Sequence, residues 1–396
     1  MKWLVDESLL DKQQREFLEK FLTENDNEQV KGFPGSGKTV LLVYAVQKIR
    51  EQNPNARILF IEFTHSLIKM LNAALSELKY EGKDIHPVHV VTYFDFARRS
   101  SVENSWDYIV CDEVQDIPTA YLDKMRNAAR RVIVGGDANQ SIYDVDPKDG
   151  LPTCKPRDIR NILNPSDTSL NIIHRIGRKV ANAINAILPG MNILSGRPTM
   201  NKVNMQIRVW KAKDRSHETK LVLYDAIDAI GVNKSVAILL PTHNKIETFI
   251  ENALQHLGNL HWEPVTNRYG KPDYNDLNRF LIKNNIAMQI VANGSGDLIN
   301  KENKIVVTTY HSSKGLDFDK VFLPFCDSYN GYEPDNTLLM VAMTRCREDL
   351  IVSYTGQVFS SIARIDEKDM KYQDWTNPGP NLFDTVEDKE EDIFGF

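Results

Sequence analysis

The stretch Gly32-Phe33-Pro34-Gly35-Ser36-Gly37-Lys38-Thr39 follows residues 29–32, which read as a short buried strand, and precedes a helical pattern from residue 38 to about 52. It fits GxxxxGK[ST] in the strand–turn–helix setting that a phosphate cradle needs. In such a loop the backbone N–H groups and the helix start point at phosphates. Lys38 neutralises the β and γ charges, and the Thr39 hydroxyl reaches magnesium. Gly35, Ser36, Gly37, Lys38 and Thr39 are thus candidate ATP-binding residues, and ATP and Mg2+ are the implied cofactors.

Working outward, strand-like apolar runs recur at residues 58–63, 88–92, 108–112 and 132–135, separated by helical or turn-rich stretches. This is the rhythm of an α/β fold with a parallel sheet. Residues 9–22 read as an amphipathic helix in front of it. Residues 144–169 are polar and punctuated by Pro147, Pro152, Pro156 and Pro165, which places a hinge near their end and a first lobe over residues 1–165. A second α/β series, with strands expected at 206–210, 236–240, 305–309, 321–323 and 350–354, gives a second lobe over 166–374. Beyond it, residues 375–396 lose apolar periodicity and are expected to form an acidic, disordered tail.

Length and composition agree with two lobes: 396 residues, 42% hydrophobic, suffice for two ordinary cores. No apolar run is long enough to span a bilayer and the first residues carry no secretion signal, so no membrane partner and a cytoplasmic location are expected. Cys111, Cys154, Cys326 and Cys346 form no CxxC pair, which fits reduced thiols and leaves magnesium as the only expected metal. The net charge is −6, but residues 384–396 hold six acids against Lys389. The rest is near neutral, which argues against a broad basic surface while leaving room for a local strand groove.

A second motif, Val110-Cys111-Asp112-Glu113-Val114-Gln115-Asp116, sits where an apolar strand runs out, so its carboxylates emerge at the carboxyl edge of the sheet beside the phosphate loop. Asp112 would hold the magnesium shell with Thr39, and Glu113 would act as general base on the attacking water.

Together with Gly136-Asp137-Ala138-Asn139-Gln140-Ser141-Ile142-Tyr143, this motif resembles the UvrD/Rep branch of superfamily 1 helicases. Further blocks follow in that family's order: residues 9–13, ending in Gln13, resemble the glutamine motif that reads adenine, Phe63-Thr64 the first strand-contacting motif, and residues 170–175 a motif bearing Arg175. Residues 240–254 resemble the next second-lobe block. Thr309-Tyr310-His311-Ser312-Ser313-Lys314-Gly315-Leu316-Asp317-Phe318 is similar to HSxKGLEF, and Val341-Ala342-Met343-Thr344-Arg345 to VAxTR. The resemblance implies two RecA-like P-loop lobes with the ATP cleft between them. It also implies that Arg175 and Arg345 reach the γ-phosphate, that Gln140 senses it, and that Gly315 and Asp317 lie at the nucleotide. Phe63, Thr64, Tyr93, Tyr143 and His311 are the implied nucleic-acid contacts. Guanidinium charges supplied by the second lobe stabilise the transition state only on closure, which couples hydrolysis to lobe movement.

The sequence departs from the family in three places. Where the family has a stacking aromatic and an arginine after QSIY, this chain has Val145 and Asp146, and the glutamate of HSxKGLEF is shortened to Asp317. Only about twenty-five residues lie between Thr64 and Thr92 and about sixty between Leu240 and Ile305, too few for the large accessory domains that grip duplex. Two functions remain open: an ATP-dependent motor stimulated by single-stranded DNA, with 3′ to 5′ polarity implied by the resemblance, or an ATPase switch controlling a partner such as a nuclease or a replication or repair factor. The end of the acidic tail, Ile393-Phe394-Gly395-Phe396, offers aromatic side chains through which such a partner could dock.

Overall fold

The computed structural model describes residues 4–78, 87–99, 105–199, 205–267, 270–292, 294–296, 303–328 and 333–376; the acidic run expected to bind a partner lies outside them. The first lobe contains α1 (Lys12–Thr23), β1 (Glu28–Gly32), α2 (Lys38–Gln52), β2 (Ile58–Glu62), α3 (His65–Glu77), β3 (His89–Thr92), α4 (Tyr93–Arg98), β4 (Trp106–Cys111), α5 (Thr119–Ala128), β5 (Ala129–Gly136), α6 (Pro156–Leu163) and β6 (Ser166–Leu170). Its strands form one parallel sheet in the order β3-β2-β4-β5-β1-β6. Strands such as Ile58–Glu62 and Ala129–Gly136 are buried on both faces, which is why they read as continuous apolar runs rather than alternating ones. Helices cover each face over its own apolar cluster.

The second lobe contains β7 (Ile172–Ile173), α7 (Arg178–Ile187), β8 (Arg197–Pro198), β9 (Gln206–Lys211), α8 (Arg215–Gly231), β10 (Val236–Leu240), α9 (His243–His256), α10 (Tyr274–Lys283), β11 (Met288–Ile290), β12 (Ile305–Thr309), β13 (Phe318–Leu323), α11 (Asn336–Met343), β14 (Cys346–Tyr354) and β15 (Lys371–Asp374). Seven strands make a second parallel sheet, β11-β12-β10-β13-β14-β9-β15, and β7 with β8 forms a small separate ladder. Apolar clusters again fill both faces, and one of them takes in Leu67 and Met70 of α3, so the lobes share core.

The lobe boundary expected at residue 165 falls too early. Ser166–Leu170 pairs with β1, in register from Glu28↔Ser166 to Gly32↔Leu170, and closes the first sheet. This edge strand reads Ser-Asp-Thr-Ser-Leu and buries only Leu170, so no apolar run marked it. The chain crosses between lobes immediately afterwards. Strands β11 and β15, at the two edges of the second sheet, were also invisible to the apolar pattern. All four cysteines are buried free thiols. Among the described residues no helix is long and apolar enough to cross a membrane.

Candidate active site between the lobes

In a parallel sheet the carboxyl ends of the strands share one edge, where ligands bind. In the first lobe that edge brings together the loop after β1, Glu62 at the end of β2, Asp112 to Asp116 after β4, and Asp137 to Gln140 after β5. The phosphate loop needs its glycines: Gly35 and Gly37 have φ of 75° and 85°, and an added Cβ would meet Arg175 Cβ or Gln14 Nε2 at 2.4 Å. Lys38 Nζ donates to the carbonyls of Gly32 (2.8 Å) and Phe33 (3.3 Å). Thr39 Oγ1 donates to Asp112 Oδ2 at 2.5 Å, so the two expected magnesium ligands are already adjacent. A hydroxyl and a carboxylate beside a phosphate loop are the oxygen donors that Mg2+ takes, the remaining positions going to phosphate and water. The residues present fit the ion.

The acids are in unlike environments. Burial raises the Asp112 carboxyl, and the neighbouring Glu113 charge adds to the effect. Burial would raise Glu113 too, but the Lys314 and Lys38 cations and a 2.6 Å hydrogen bond from Gln115 Nε2 outweigh it, so Glu113 falls below the usual carboxylate range. A carboxylate kept anionic next to one pushed upward is the separation that acid–base chemistry uses. Glu113 also sits at φ 52°, a left-handed conformation costing a non-glycine residue roughly 1–3 kcal/mol and characteristic of functional turns. Glu62, fully buried, gives one oxygen to the Phe63 N–H (2.9 Å), and its other oxygen has no hydrogen-bond partner. Burial and Asp112 hold its carboxyl well above its ordinary range.

The second lobe supplies cations to this edge. Lys314, 1% exposed, reaches across to a very short contact with Asp116 Oδ2, lies 3.6 Å from Glu113 Oε2, and donates to the Gln140 carbonyl at 3.1 Å. Burial would lower its pKa, but Asp116 and Glu113 raise it, so it stays charged. Arg175 Nη1 donates to the Thr344 carbonyl (3.4 Å) and its Nε lies 3.8 Å from Asp317. Asp317 in turn is 3.7 Å from Arg347. Arg345 is buried and donates to the carbonyls of Val341 and Leu316 and to Thr344 Oγ1. Burial and the nearby Arg175 charge pull its guanidinium down to about 9. Gln140 donates to Asp137 Oδ2 (3.0 Å).

Two of the expected ATP-binding residues have contacts inside the protein that the sequence did not show. Gln14, not Gln13, touches the phosphate loop: it forms a capping box with Asp11 and donates to the Ser36 carbonyl at 3.1 Å. Gln13 instead accepts from Asn171 N (2.9 Å), because neighbouring residues on a helix face different ways. Gly315, φ 81°, lies against α3, where an added Cβ would meet Leu67 at 2.2 Å. Sequence reasoning also gave no role to Glu62, Gln115, Asp116, Lys314 or Arg347. Only Gln115, Asp116 and Lys314 carried a signal, being charged or polar members of quoted blocks.

The expected strand contacts form a row of rings across both lobes. Phe63 stacks on Tyr93 (5.4 Å, 8°) and tilts against Tyr143 (6.3 Å), which stacks on His311 of the second lobe (5.6 Å, 22°). Burial, His243 and Lys314 hold the His311 imidazole below its ordinary value. Thr64, beside Phe63, keeps a buried hydroxyl oxygen without a partner. Tyr93 is the exception, 1% exposed with its hydroxyl donated to Asp146 (2.6 Å), and supports the row from behind. Asp146, where the family has arginine, is thereby a structural residue.

Residues 14–146 match the family model described as an AAA domain, and residues 262–357 match the UvrD-like helicase C-terminal domain. Among solved structures, the arterivirus nonstructural protein 10 helicase in complex with DNA is similar at 17% identity and a TM-score of 0.44. That match covers 89% of this chain, which spans 65% of the arterivirus helicase. A structure of Pif1 helicases on forked duplex DNA is 15% identical, with 97% and 98% of the two chains covered and a TM-score of 0.46. No curated protein sequence matches significantly. The two family models fall in order on the two lobes, so that the chain carries an AAA domain followed by a UvrD-like helicase C-terminal domain, with the phosphate loop, the acidic motif and the second-lobe cations at one edge.

Proposed function

We propose that this chain hydrolyses ATP with magnesium and is stimulated by single-stranded DNA, along which it moves 3′ to 5′. The observation that carries the reading is the reach of Lys314 from the second lobe into the acidic motif of the first, with Arg175 and Arg345 beside it. Such a centre is complete only when both lobes contribute. Lys38 offsets the phosphate charge, and the glutamine block ending in Gln13, beside Gln14 on the phosphate loop, reads the base. Thr39 and Asp112 would hold magnesium, which when bound neutralises phosphate charge and orients the leaving group. Glu113 takes the proton of the attacking water, and Gln140, whose carbonyl accepts from Lys314, senses the γ-phosphate. Arg175 and Arg345 act on charge that develops in the transition state, which makes their contribution depend on closure.

The aromatic row at the same lobe junction supports a strand, because every base offers a face to a ring whatever its identity. The short spacings between motifs support a motor without duplex-gripping domains. The test is steady-state ATP turnover with and without oligo(dT). Turnover that rises with oligo(dT) supports the motor. Turnover indifferent to it favours a switch that acts on a protein partner.

A further inference from the structure

The ring row does not end at Tyr93. Phe94, the next residue, packs edge-on to Tyr93 (6.5 Å), and two cations lie over its ring. The Arg98 guanidinium is 4.2 Å and Lys148 Nζ 4.8 Å from the Phe94 centroid, with Lys148 also 5.2 Å from Tyr93. Both are exposed, and among the described residues neither has a carboxylate within ion-pair distance. Some other surface cations are paired: Lys31 with Asp167 (2.6 Å) and Lys155 with Asp144 (2.5 Å). A ring attracts a cation without cancelling its charge, so Arg98 and Lys148 keep their full charge and outward N–H donors.

Both are held in place by other residues. Lys124 Nζ donates to the carbonyls of Phe96, Ala97 and Arg99, which closes the end of α4 around Arg98. Asp146 accepts from the N–H of Lys148 (2.7 Å) and of Asp149 (3.2 Å) while taking the Tyr93 hydroxyl. Its carboxylate is therefore committed inward and fixes the turn that carries Lys148 back over Phe94. Asp149 is likewise engaged, accepting from Tyr121 Oη and Leu151 N. In a body of near-neutral charge, two unpaired cations at the end of an aromatic row form a local site for anionic groups spaced along a chain.

We infer that Arg98 and Lys148, bracketing Phe94, grip backbone phosphates of a single strand whose bases lie on the row from Phe63 to His311, in place of the aromatic and arginine that Val145 and Asp146 replace. The inference rests on the strand-binding reading above. The test is fluorescence anisotropy of labelled oligo(dT) across a NaCl series, with the wild type, R98Q/K148Q and the paired-cation control K31Q. Neither Arg98 nor Lys148 belongs to the hydrolytic site, so turnover without DNA and Tm should match the wild type. Two lost phosphate contacts should flatten the log–log salt slope by about 1.4 and weaken binding about twenty-fold at 0.1 M salt, with the curves converging near 1 M. K31Q should keep the wild-type slope. A folded R98Q/K148Q protein with the wild-type slope overturns the inference and leaves strand binding intact. Absence of oligo(dT) binding by the wild type overturns the strand-binding reading itself, and this inference with it.

Discussion

The two sides of the lobe junction are built from opposite materials. On the nucleotide side, charged groups are buried and pinned: Asp112 to Thr39, Glu113 to Gln115, Lys314 to Asp116 and Arg345 to three oxygens of its own lobe. On the strand side, rings stack on rings, with Arg98 and Lys148 at the rim over Phe94. On the proposed function the difference follows from the ligands. Phosphoryl transfer needs fixed charge in a site that excludes water, where electrostatics are strong. A strand that must slide needs faces that accept any base and charges that remain solvated.

If that contrast is right, the largest effects come from single charges on the nucleotide side. Both Lys38→Ala and Glu113→Gln should lower turnover by at least about a hundredfold, yet they should differ in binding. Losing the ammonium should weaken MgATP affinity, whereas the amide keeps the shape of the carboxylate and should bind MgATP while failing to activate water. Isothermal titration with both variants separates the roles, and equal loss of affinity would break the assignment.

Smaller effects are expected on the strand side, because stacking is shared among rings. Phe63→Ala and Tyr143→Ala should each cost about 1–3 kcal/mol of oligo(dT) affinity, with turnover in the absence of DNA unchanged. Binding isotherms check this. A variant that loses unstimulated hydrolysis instead would place that ring in the nucleotide site.

The smallest effect concerns acid. Burial first, then neighbouring cations, lowers the pKa of His243 and His311 from the ordinary 6.5. A histidine with a depressed folded value contributes stability that is complete above the unfolded value and lost as pH falls below it. The stability of the wild type relative to a His243→Asn, His311→Asn variant should therefore be constant above about pH 7 and shrink between pH 6.5 and 5. Calorimetric melting of both proteins across that range measures it, and a gap that widens in acid would mean the rings are charged in the fold.

What could be read from sequence divides along the same line. The phosphate loop and the acid pair announce themselves because spacing fixes their chemistry, and the helix Lys38–Gln52 and the strand Val236–Leu240 fall where their apolar runs put them. That Gln14 rather than Gln13 touches the phosphate loop was not legible, because a block gives position along a helix more readily than its facing side. The contact of Gly315 with Leu67 was not legible because Leu67 lies in the other lobe. Glu62 ends an apolar strand like any polar stop, and only the fold sets it beside Asp112. The Phe94 site joins residues fifty positions apart through a turn held by Asp146, which on the sequence is simply a missing arginine.

The central claim is that the second lobe completes the chemistry of the first. Single-turnover hydrolysis by Arg345→Ala, with MgATP affinity measured on the same protein, tests it most directly. The account predicts a loss of orders of magnitude in the hydrolysis rate, on the scale of about 10³ or more for a guanidinium acting on the transferred phosphoryl group, with affinity nearly intact. Near-normal hydrolysis in the folded variant would contradict it.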